Sequence, residues 1–135
     1  MQNNFKNRTI ILIMMFLLLP NICGAKRLYL EKEYQDYWCG LKNGITEYKL
    51  TDNTRVDCLL PDMAVEFDYA NKWAECIGQA LYYSQKTNRI PARVLIMENP
   101  EKDFKYLSRL RYAVYNKKKI PEFKTFTIKP AVFQK

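Results

Sequence analysis

Two short apolar segments joined by a turn constrain this chain more than any other part of its sequence. Residues 55–60 are rich in valine and leucine and run into Pro61-Asp62, and residues 63–68 then alternate between apolar and acidic side chains. Proline followed by aspartate suits the centre of a tight turn, and the flanking composition suits strands. The pattern therefore predicts a β-hairpin that carries acids on both of its strands.

The register of this hairpin decides which acids face each other. A turn centred on the Pro-Asp pair places Asp57 opposite Glu66 and Arg55 opposite Asp68, with all four side chains on one face. Cross-strand β-carbons lie about 4.5 to 5.5 Å apart, so two carboxylates there repel unless one is protonated or a cation lies between them. Oxygen ligands favour a hard divalent ion, Mg²⁺ or Mn²⁺. The alternative is a pair of solvent-facing acids on an exposed sheet.

A predicted helix over 71–86 follows the second strand and carries two stripes. Its packing face repeats every three to four residues and consists of Trp73, Ala74, Ile77, Ala80, Leu81 and Ser84. Its polar stripe, which a period of about 3.6 residues brings back to nearly one line, consists of Lys72, Glu75, Gln79 and Tyr83. This stripe predicts that a cation, an amide and a phenol project beside the acids. A solvated helix flank with a Lys72–Glu75 pair is the alternative.

Acids on consecutive strands, followed by a helix with Gln-x-x-x-Tyr, resemble the PD-(D/E)XK, or restriction-endonuclease-like, nuclease superfamily, especially its recombination nucleases. The residues that carry the resemblance are Asp57, Glu66, Gln79 and Tyr83. The resemblance implies an α/β fold with an αβββαβ core over roughly residues 28–97, in which helices flank a mixed sheet. It also implies cleavage of nucleic acid, DNA in preference to RNA, with Mg²⁺ or Mn²⁺ as cofactor.

The same resemblance implies roles for individual residues. Asp57, Glu66 and the main-chain carbonyl of Phe67 are expected to hold the metal ion, and a glutamate on the first helix is expected to reach towards it. That helix is predicted over 28–40, where Glu33 lies within an apolar stripe of Leu30, Tyr34, Tyr37, Trp38 and Leu41. A carboxylate in a core-facing stripe is costly without a partner, so Glu33 is the candidate third acid. Its alternative is a surface residue at the edge of the stripe.

The chain departs from the family pattern at one position. Two residues after Glu66, where the family has lysine, stands Asp68. Three interpretations remain open: Lys72 orients the water and steadies charge on the phosphate in place of that lysine, Asp68 is a further metal ligand, or hydrolysis has been lost. In the first case the catalytic set is Asp57, Glu66, Lys72, Gln79 and Tyr83. In the last case the protein is an inactive nuclease-fold module that binds nucleic acid or a protein partner.

Histidine and cysteine usage narrows the chemistry further. The chain has no histidine, which excludes histidine-based nucleases, Ser-His-Asp and Cys-His hydrolases, and histidine zinc sites. After residue 25 it keeps Cys39, Cys58 and Cys76, and none of them is in a C-x-x-C arrangement, so a thiolate zinc site is poorly supported. In an exported protein, a Cys39–Cys58 disulfide would tie the first helix to the second strand. Three free thiols are the alternative.

Residues 1–25 are typical of an export signal. Lys6 and Arg8 precede an unbroken apolar run over 10–19, and residues 23–25 form a small-residue cleavage site. This run is shorter than the roughly 20 residues that cross a bilayer. We therefore expect cleavage after Ala25, export to the periplasm or the medium, and no stable membrane insertion; an uncleaved anchor is the alternative. Residues 26–135 then form a single domain.

The net charge of that domain suits a polyanionic partner. Loss of the leader removes two cations and no acid, which leaves 20 of the 22 basic residues against 14 acidic ones, a net charge of +6. Exported proteins are also commonly basic for no functional reason, so this charge alone does not identify nucleic acid as the partner. The sequence indicates no particular oligomeric state.

The remaining sequence predicts additions to the core. Residues 93–97 indicate a buried strand that pairs in parallel beside the carboxylate strand, after a polar break over 86–91. A helix over 100–116 and an edge strand over 123–128 follow. Cations that could hold a phosphate backbone lie on or after this helix: Lys102, Lys105, Arg109, Arg111 and Lys117–Lys119. A solvated helix face is the alternative.

Overall fold

The computed structural model describes residues 26–115 and 122–134, without the side chain of Cys76. The helices are α1 (Glu31–Leu41), α2 (Glu75–Thr87) and α3 (Pro100–Tyr115), with short 3₁₀ helices at Ala70–Lys72 and Pro130–Phe133. The strands are β1 (Ile45–Lys49), β2 (Arg55–Leu59), β3 (Met63–Tyr69), β4 (Ile90–Ile96) and β5 (Lys124–Ile128). The predicted leader and the Lys117–Lys119 run lie outside the described residues, as does the predicted cleavage site.

The five strands form one mixed sheet in the order β1-β2-β3-β4-β5. The pairs β1–β2 and β2–β3 are antiparallel, whereas the pairs β3–β4 and β4–β5 are parallel. The pairs Cys58–Val65 and Leu59–Ala64 have the register that the hairpin turn predicts. The predicted α/β class, with a mixed sheet flanked by helices and a parallel strand after the crossover helix, is confirmed.

Side chains of β3 alternate between two cores because successive residues of a strand face opposite sides of the sheet. Val65, Phe67 and Tyr69 belong to the core beneath α1, together with Tyr34 and Trp38 of that helix. The opposite face is covered by α2 and α3, whose contacts with each other include the buried side chains Ala80, Leu110 and Val114. The acidic residues Glu66 and Asp68 of β3 therefore belong to the α2 side of the sheet.

Helix α1 is rotated relative to the predicted packing face. Its buried side chains are Tyr34, Gln35, Trp38 and Cys39, whereas Leu30 and Leu41 are 70% and 65% exposed. Cys39 is held against the sheet by a disulfide to Cys58, as the first of the two alternatives predicts. With Gln35 and Cys39 on the inward side of α1, the apolar residues Leu30 and Leu41 at its two ends remain in solvent.

The Cys39–Cys58 bridge is packed tightly against a glycine. The two cysteines are 19 positions apart, and a loop of that size corresponds to about 3 kcal/mol of stabilisation in the chain-entropy description. A β-carbon placed on Gly44 would lie 2.6 Å from Cys39 Sγ and 2.7 Å from Cys58 Sγ. Position 44 therefore has no space for a larger residue.

Two sequence-based boundaries need correction. The predicted helix over 71–86 is divided into the 3₁₀ turn Ala70–Lys72 and α2, so Lys72 precedes the α-helix and is not in line with its polar stripe. Strand β4 begins at Ile90 and includes Pro91, which pairs with Ala64. The predicted break over 86–91 is thus wrong at its end, and Arg93 lies in the middle of the strand. No helix within the described ranges is long and apolar enough to cross a membrane.

A candidate carboxylate site at a gap between two strands

Asp57 and Glu66 are linked where the backbone pairing of β2 and β3 stops. The ladder between these strands pairs residues 58 with 65 and 59 with 64. Beyond it, Glu66 Oε1 accepts a hydrogen bond from the Asp57 main-chain N–H at 3.3 Å, and Asp57 Oδ2 accepts one from the Phe67 N–H at 2.7 Å. The structure thus brings together the two acids that the register predicts, and each carboxylate satisfies a main-chain donor of the opposite strand.

Both carboxyl groups are in an environment that disfavours negative charge. Glu66 is buried at 3% exposure and Asp57 is half-buried. Burial is the main reason that the pKa of each group is raised, and repulsion from Asp57 raises the pKa of Glu66 further. The Phe67 N–H opposes this shift at Asp57 because it stabilises the ionised form. Two negative charges are therefore not stable together here unless a cation accompanies them.

More acids contribute to the same electrostatic field. Asp68 is buried, and burial raises its pKa, while the positive charges of Lys72 and Arg93 lower it. Glu31, the first residue of α1, also has a pKa raised by burial, and then by Asp68. Its charge in turn raises the pKa values of Asp57 and Glu66. The site therefore has more acids than the two strands alone supply.

The α1 glutamate in this field is Glu31, whereas Glu33 was the residue predicted. Glu33 is exposed and its Oε2 accepts a hydrogen bond from the Leu30 N–H at 2.6 Å, which caps the start of the helix. Glu31 lies one turn before the buried Gln35, so it projects from the inward side of α1. The rotation of α1 described above explains why sequence periodicity selected the wrong glutamate of the two for this face.

Gln35 supports the strand that carries Asp57. This side chain is 3% exposed, and its Nε2 donates to the Asp57 carbonyl at 2.5 Å and to Glu47 Oε1 at 2.9 Å. Glu47 has a left-handed backbone conformation, with φ of 53°, and its carboxylate lies 3.6 Å from the guanidinium of Arg55. Arg55 is thus paired with Glu47 and not, as the register suggested, with Asp68.

The predicted helix residues occupy different environments. Lys72 is half-exposed and its Nζ lies 3.9 Å from Asp68 Oδ1. Tyr83 is buried against Val56 and Ala64, and its pKa is raised by burial and then by the charge of Glu66. Gln79 is exposed on α2, one turn before Tyr83. The structure therefore places Lys72 and Tyr83 beside the acids and gives Gln79 a solvent-facing position.

The ring and the main chain of Phe67 have separate environments. Its ring is buried on the α1 side, edge-on to Trp38 with 5.7 Å between the ring centroids. Its N–H donates to Asp57, as described above. The metal-binding role that the resemblance gives to its carbonyl remains a prediction.

Arg93 is a buried cation that sequence patterning missed. It pairs with Glu66 across β3 and β4 and is fully buried. Its Nη1 donates to the Trp73 carbonyl, while Nε and Nη2 have no hydrogen-bond partner among the described residues. Burial lowers the pKa of Arg93 to about 10, and the charges of Asp68 and Glu66 oppose this shift. The only sequence signal was an arginine within a run of apolar strand residues.

The donor chemistry of this site suits a hard divalent cation. Carboxylate and carbonyl oxygens are the ligands that Mg²⁺ and Mn²⁺ prefer. Within the described ranges, no group of three or more Cys, Asp or Glu side chains is already arranged to hold a metal ion. The preassembled part is the pair Asp57 and Glu66, whose mutual repulsion a divalent cation would relieve.

Comparison with known proteins gives no family for this chain. No protein-family model, no curated protein and no solved structure matches it. Its function is therefore inferred from the residues of the site and their surroundings.

Proposed function

We propose that this protein is an exported, Mg²⁺- or Mn²⁺-dependent nuclease with a restriction-endonuclease-like core, acting on DNA in preference to RNA. The observation that carries the proposal is the linked pair of Asp57 and Glu66 in a gap between β2 and β3. Carboxylates with raised pKa values that converge on one place are typical of functional sites, because catalytic groups need pKa values matched to their task.

The order of the elements supports the proposed core. Helix α1 precedes three antiparallel strands, and α2 then crosses over to β4, which is parallel to the acid-bearing β3. This is the αβββαβ order that the resemblance implies, with α3 and β5 added after it. The acids also stand on the two strands expected from the resemblance.

In the proposed site, Asp57 and Glu66 hold the cation, and the carbonyl of Phe67 and the carboxylates of Asp68 and Glu31 are the candidates for further ligands. Glu31 takes the position first proposed for Glu33, whose carboxylate caps α1. A divalent ion bound there would lower the pKa of a coordinated water towards neutrality and offset charge on the phosphate. This chemistry needs no histidine, and the chain has none.

Residues around the acids would position the substrate. Lys72 is half-exposed, so its ammonium group can leave Asp68 and contact a phosphate oxygen or the attacking water. Gln79, exposed on the same side of the sheet, is proposed to orient the substrate, and the buried Tyr83 is proposed to fix the helix that carries it. Asp68 then anchors Lys72 in the absence of substrate, which gives a role to the acid at the family's lysine position.

The disulfide supports the export part of the proposal. Disulfides form and persist in oxidising compartments and are rare in the reducing cytosol. The Cys39–Cys58 bridge connects α1 to β2 next to the site. It is consistent with the export signal predicted over residues 1–25.

Metal-dependent cleavage tests the proposal directly. Labelled duplex and single-stranded DNA, and matching RNA, would be incubated with purified protein and Mn²⁺ or Mg²⁺, with EDTA as the metal-free arm. We expect Asp57→Asn and Glu66→Gln to abolish cleavage, because each keeps the side-chain shape but removes the charge. Asp36→Asn is the matched control, since Asp36 is an exposed acid paired with Lys32 on α1. Equal residual cleavage by wild type and the two site variants would refute the nuclease assignment.

A second candidate function is nucleic-acid binding without hydrolysis. It is favoured by the hydrogen bonds that Asp57 and Glu66 make to main-chain N–H groups, since these give both acids a structural role. The cleavage assay, together with DNA binding and thermal unfolding of the same protein, separates the two candidate functions. A non-hydrolytic module would bind DNA in EDTA, cleave nothing with Mn²⁺, and show no metal-dependent rise in melting temperature.

A further inference from the structure

A basic cleft lies on the side of the molecule where β1 ends and α2 ends. It has a volume of about 280 Å³, and its lining includes Lys49, Leu59, Lys86, Thr87 and Arg89. Three of these residues, Lys49, Lys86 and Arg89, are cations, and no acid lines the cleft. We call this feature the β1–α2 cleft.

The charges in the β1–α2 cleft are only partly neutralised. Lys86 Nζ lies 3.3 Å from Asp52 Oδ2, and the same carboxylate accepts a hydrogen bond from the hydroxyl of Tyr82. Within the described residues, Lys49 and Arg89 form no salt bridge. The three cations of the cleft exceed the charge of Asp52 by two, while Glu122 lines a neighbouring pocket together with Arg89.

The main chain at the end of α2 opposes part of this positive charge. The carbonyl of Tyr83 accepts a hydrogen bond from Thr87 Oγ1 at 2.7 Å, and that of Ser84 accepts one from the Arg89 N–H at 3.1 Å. These hydrogen bonds satisfy two of the carbonyls at the negative end of the helix dipole, which favours the cation of Lys86 there and subtracts from the attraction for an anion. An anionic group entering the cleft would meet the side chains of Lys49 and Arg89.

Leu59 connects the β1–α2 cleft with the carboxylate site. It lines the cleft and packs in the same apolar cluster as Tyr83. Tyr83 in turn is close enough to Glu66 and Asp57 for their charges to raise its pKa. A polyanion held in the cleft would thus lie on the α2 side of the sheet, the side to which Glu66 and Asp68 belong.

We propose that the β1–α2 cleft binds the phosphate backbone of nucleic acid, with Lys49 and Arg89 as the phosphate contacts. The choice of nucleic acid among polyanions rests on the proposed function, whereas the binding itself is independent of hydrolysis. Lysine and arginine neutralise phosphates and release counterions, so this contact makes affinity depend on salt and not on base sequence. The basic face of α3, suggested by sequence, is the competing surface.

The experiment measures binding of residues 26–135, the predicted exported form, to a fluorescein-labelled DNA duplex in EDTA, where no metal-dependent cleavage occurs. Fluorescence anisotropy gives Kd between 50 and 200 mM salt for wild type, for Lys49→Gln/Arg89→Gln, and for the control Lys105→Gln/Arg109→Gln on α3. Lys105 and Arg109 are exposed and lie over the Tyr106 ring. Both double variants remove the same charge, so a difference between them reports location.

Removal of two phosphate contacts lowers the slope of log affinity against log salt by about 1.8 on duplex DNA. Over a fourfold rise in salt, the loss of DNA affinity should therefore be smaller for the cleft variant than for wild type by a factor of roughly 12. The single variant Lys49→Gln should lower the slope by about 0.9. It changes only an exposed side chain and provides the test if the double variant is unstable. The α3 control should keep the wild-type slope.

Three results would overturn the cleft assignment: a wild-type slope in the cleft variants, a reduced slope in the α3 variant alone, or no DNA binding by wild type. The nuclease proposal is tested by a different outcome from the cleft assignment. Binding that depends on Lys49 and Arg89, with no Mn²⁺-dependent cleavage, would retain the cleft and reject hydrolysis. If cleavage requires Glu66 but the cleft variants keep the wild-type DNA affinity and salt slope, hydrolysis is retained and the cleft assignment is rejected.

Discussion

Glu66 and Arg93 lie opposite each other in the parallel strands β3 and β4, and both side chains are buried. They do not form a salt bridge: Arg93 donates to the Trp73 carbonyl, and Glu66 accepts from the Asp57 N–H. The two charges therefore interact electrostatically across the sheet, although neither is fully neutralised. This arrangement makes the ionisation of Glu66 a determinant of folding stability.

We expect the metal-free protein to lose stability as pH rises from about 4.5 to about 9, the interval between the ordinary pKa of Glu66 and its raised value. In this interval the folded state binds more protons than the unfolded state, so the free energy of unfolding falls with pH. Glu66→Gln should reduce this dependence and be more stable than wild type at pH 8 by at least about 1 kcal/mol, since one pKa unit corresponds to about 1.4 kcal/mol. Urea unfolding in EDTA at several pH values measures both effects. A Glu66→Gln variant with the wild-type slope would contradict the assignment.

Arg93→Gln should increase the loss of stability between pH 6 and 9. The positive charge of Arg93 lowers the pKa of Asp68 and interacts favourably with ionised Glu66. Its removal raises the pKa of both carboxyl groups further, so each costs more to ionise. The measurement is the same urea series, with Arg89→Gln as a control on the neighbouring loop. An unchanged pH dependence would show that Arg93 does not act on these acids.

Mn²⁺ should stabilise the wild-type protein more strongly at pH 8 than at pH 6. The acids that hold the ion must lose their protons first, so affinity increases with pH where their pKa values are raised. Stabilisation reaches about 2.7 kcal/mol when the metal is present at a hundred times its Kd. Thermal unfolding and calorimetric titration measure the effect, and Asp57→Asn should remove it. A pH-independent response that persists in Asp57→Asn would place the metal elsewhere.

Lys72→Met should reduce cleavage by a factor of about 100 to 1,000, the usual effect of removing one group that stabilises charge in the transition state. Mn²⁺ binding should remain, because Lys72 is not a ligand. Lys72→Arg should recover part of the activity, since it restores the charge. Lys32→Met, which removes an exposed cation from α1, is the control. If Lys72→Met cleaves at the wild-type rate, the role of the family's lysine lies with another residue.

Gly44→Ala should destabilise the oxidised protein by about 1 to 3 kcal/mol. The new methyl group would lie 2.6 Å from Cys39 Sγ and 2.7 Å from Leu60 Cδ2, which is closer than packed atoms tolerate. Gly40→Ala is the matched control, because nothing lies within 4 Å of its new β-carbon and alanine favours a helix over glycine by about 0.5 to 1 kcal/mol. Chemical denaturation of the two variants should therefore give changes of opposite sign. Equal stability of the two variants would contradict the tight packing at position 44.

The acid pair was predictable from sequence because local chemistry sets its register. The Pro61-Asp62 turn determines which residues of the hairpin are neighbours, and the pairs Cys58–Val65 and Leu59–Ala64 continue that register up to the point where Asp57 and Glu66 meet. The parallel placement of β4 followed from the crossover helix for a similar reason, since short connections favour adjacent strands.

Glu31 and Arg93 could not be recognised in the same way. The inward face of α1 carries Tyr34, Gln35, Trp38 and the disulfide-bonded Cys39, and apolar periodicity does not select the polar Gln35 among them. Arg93 stood at the first position of the predicted strand over 93–97, whereas β4 begins at Ile90 and continues through a proline, which in sequence indicates a break. In both cases tertiary contacts overrode the local pattern, and the affected residues are charged groups at the site.

The disulfide next to the acids has a consequence for when the protein can work. Cys58 follows Asp57 directly, and Cys39 lies one helical turn after Gln35, whose amide supports the Asp57 carbonyl. Reduction would release the helix that holds this support. If the protein is exported and cleaves DNA as proposed, a newly made copy in a thiol-rich cytosol would have a less ordered acid pair than an oxidised copy outside it, and the producing cell's own chromosome would be exposed only to the weaker form.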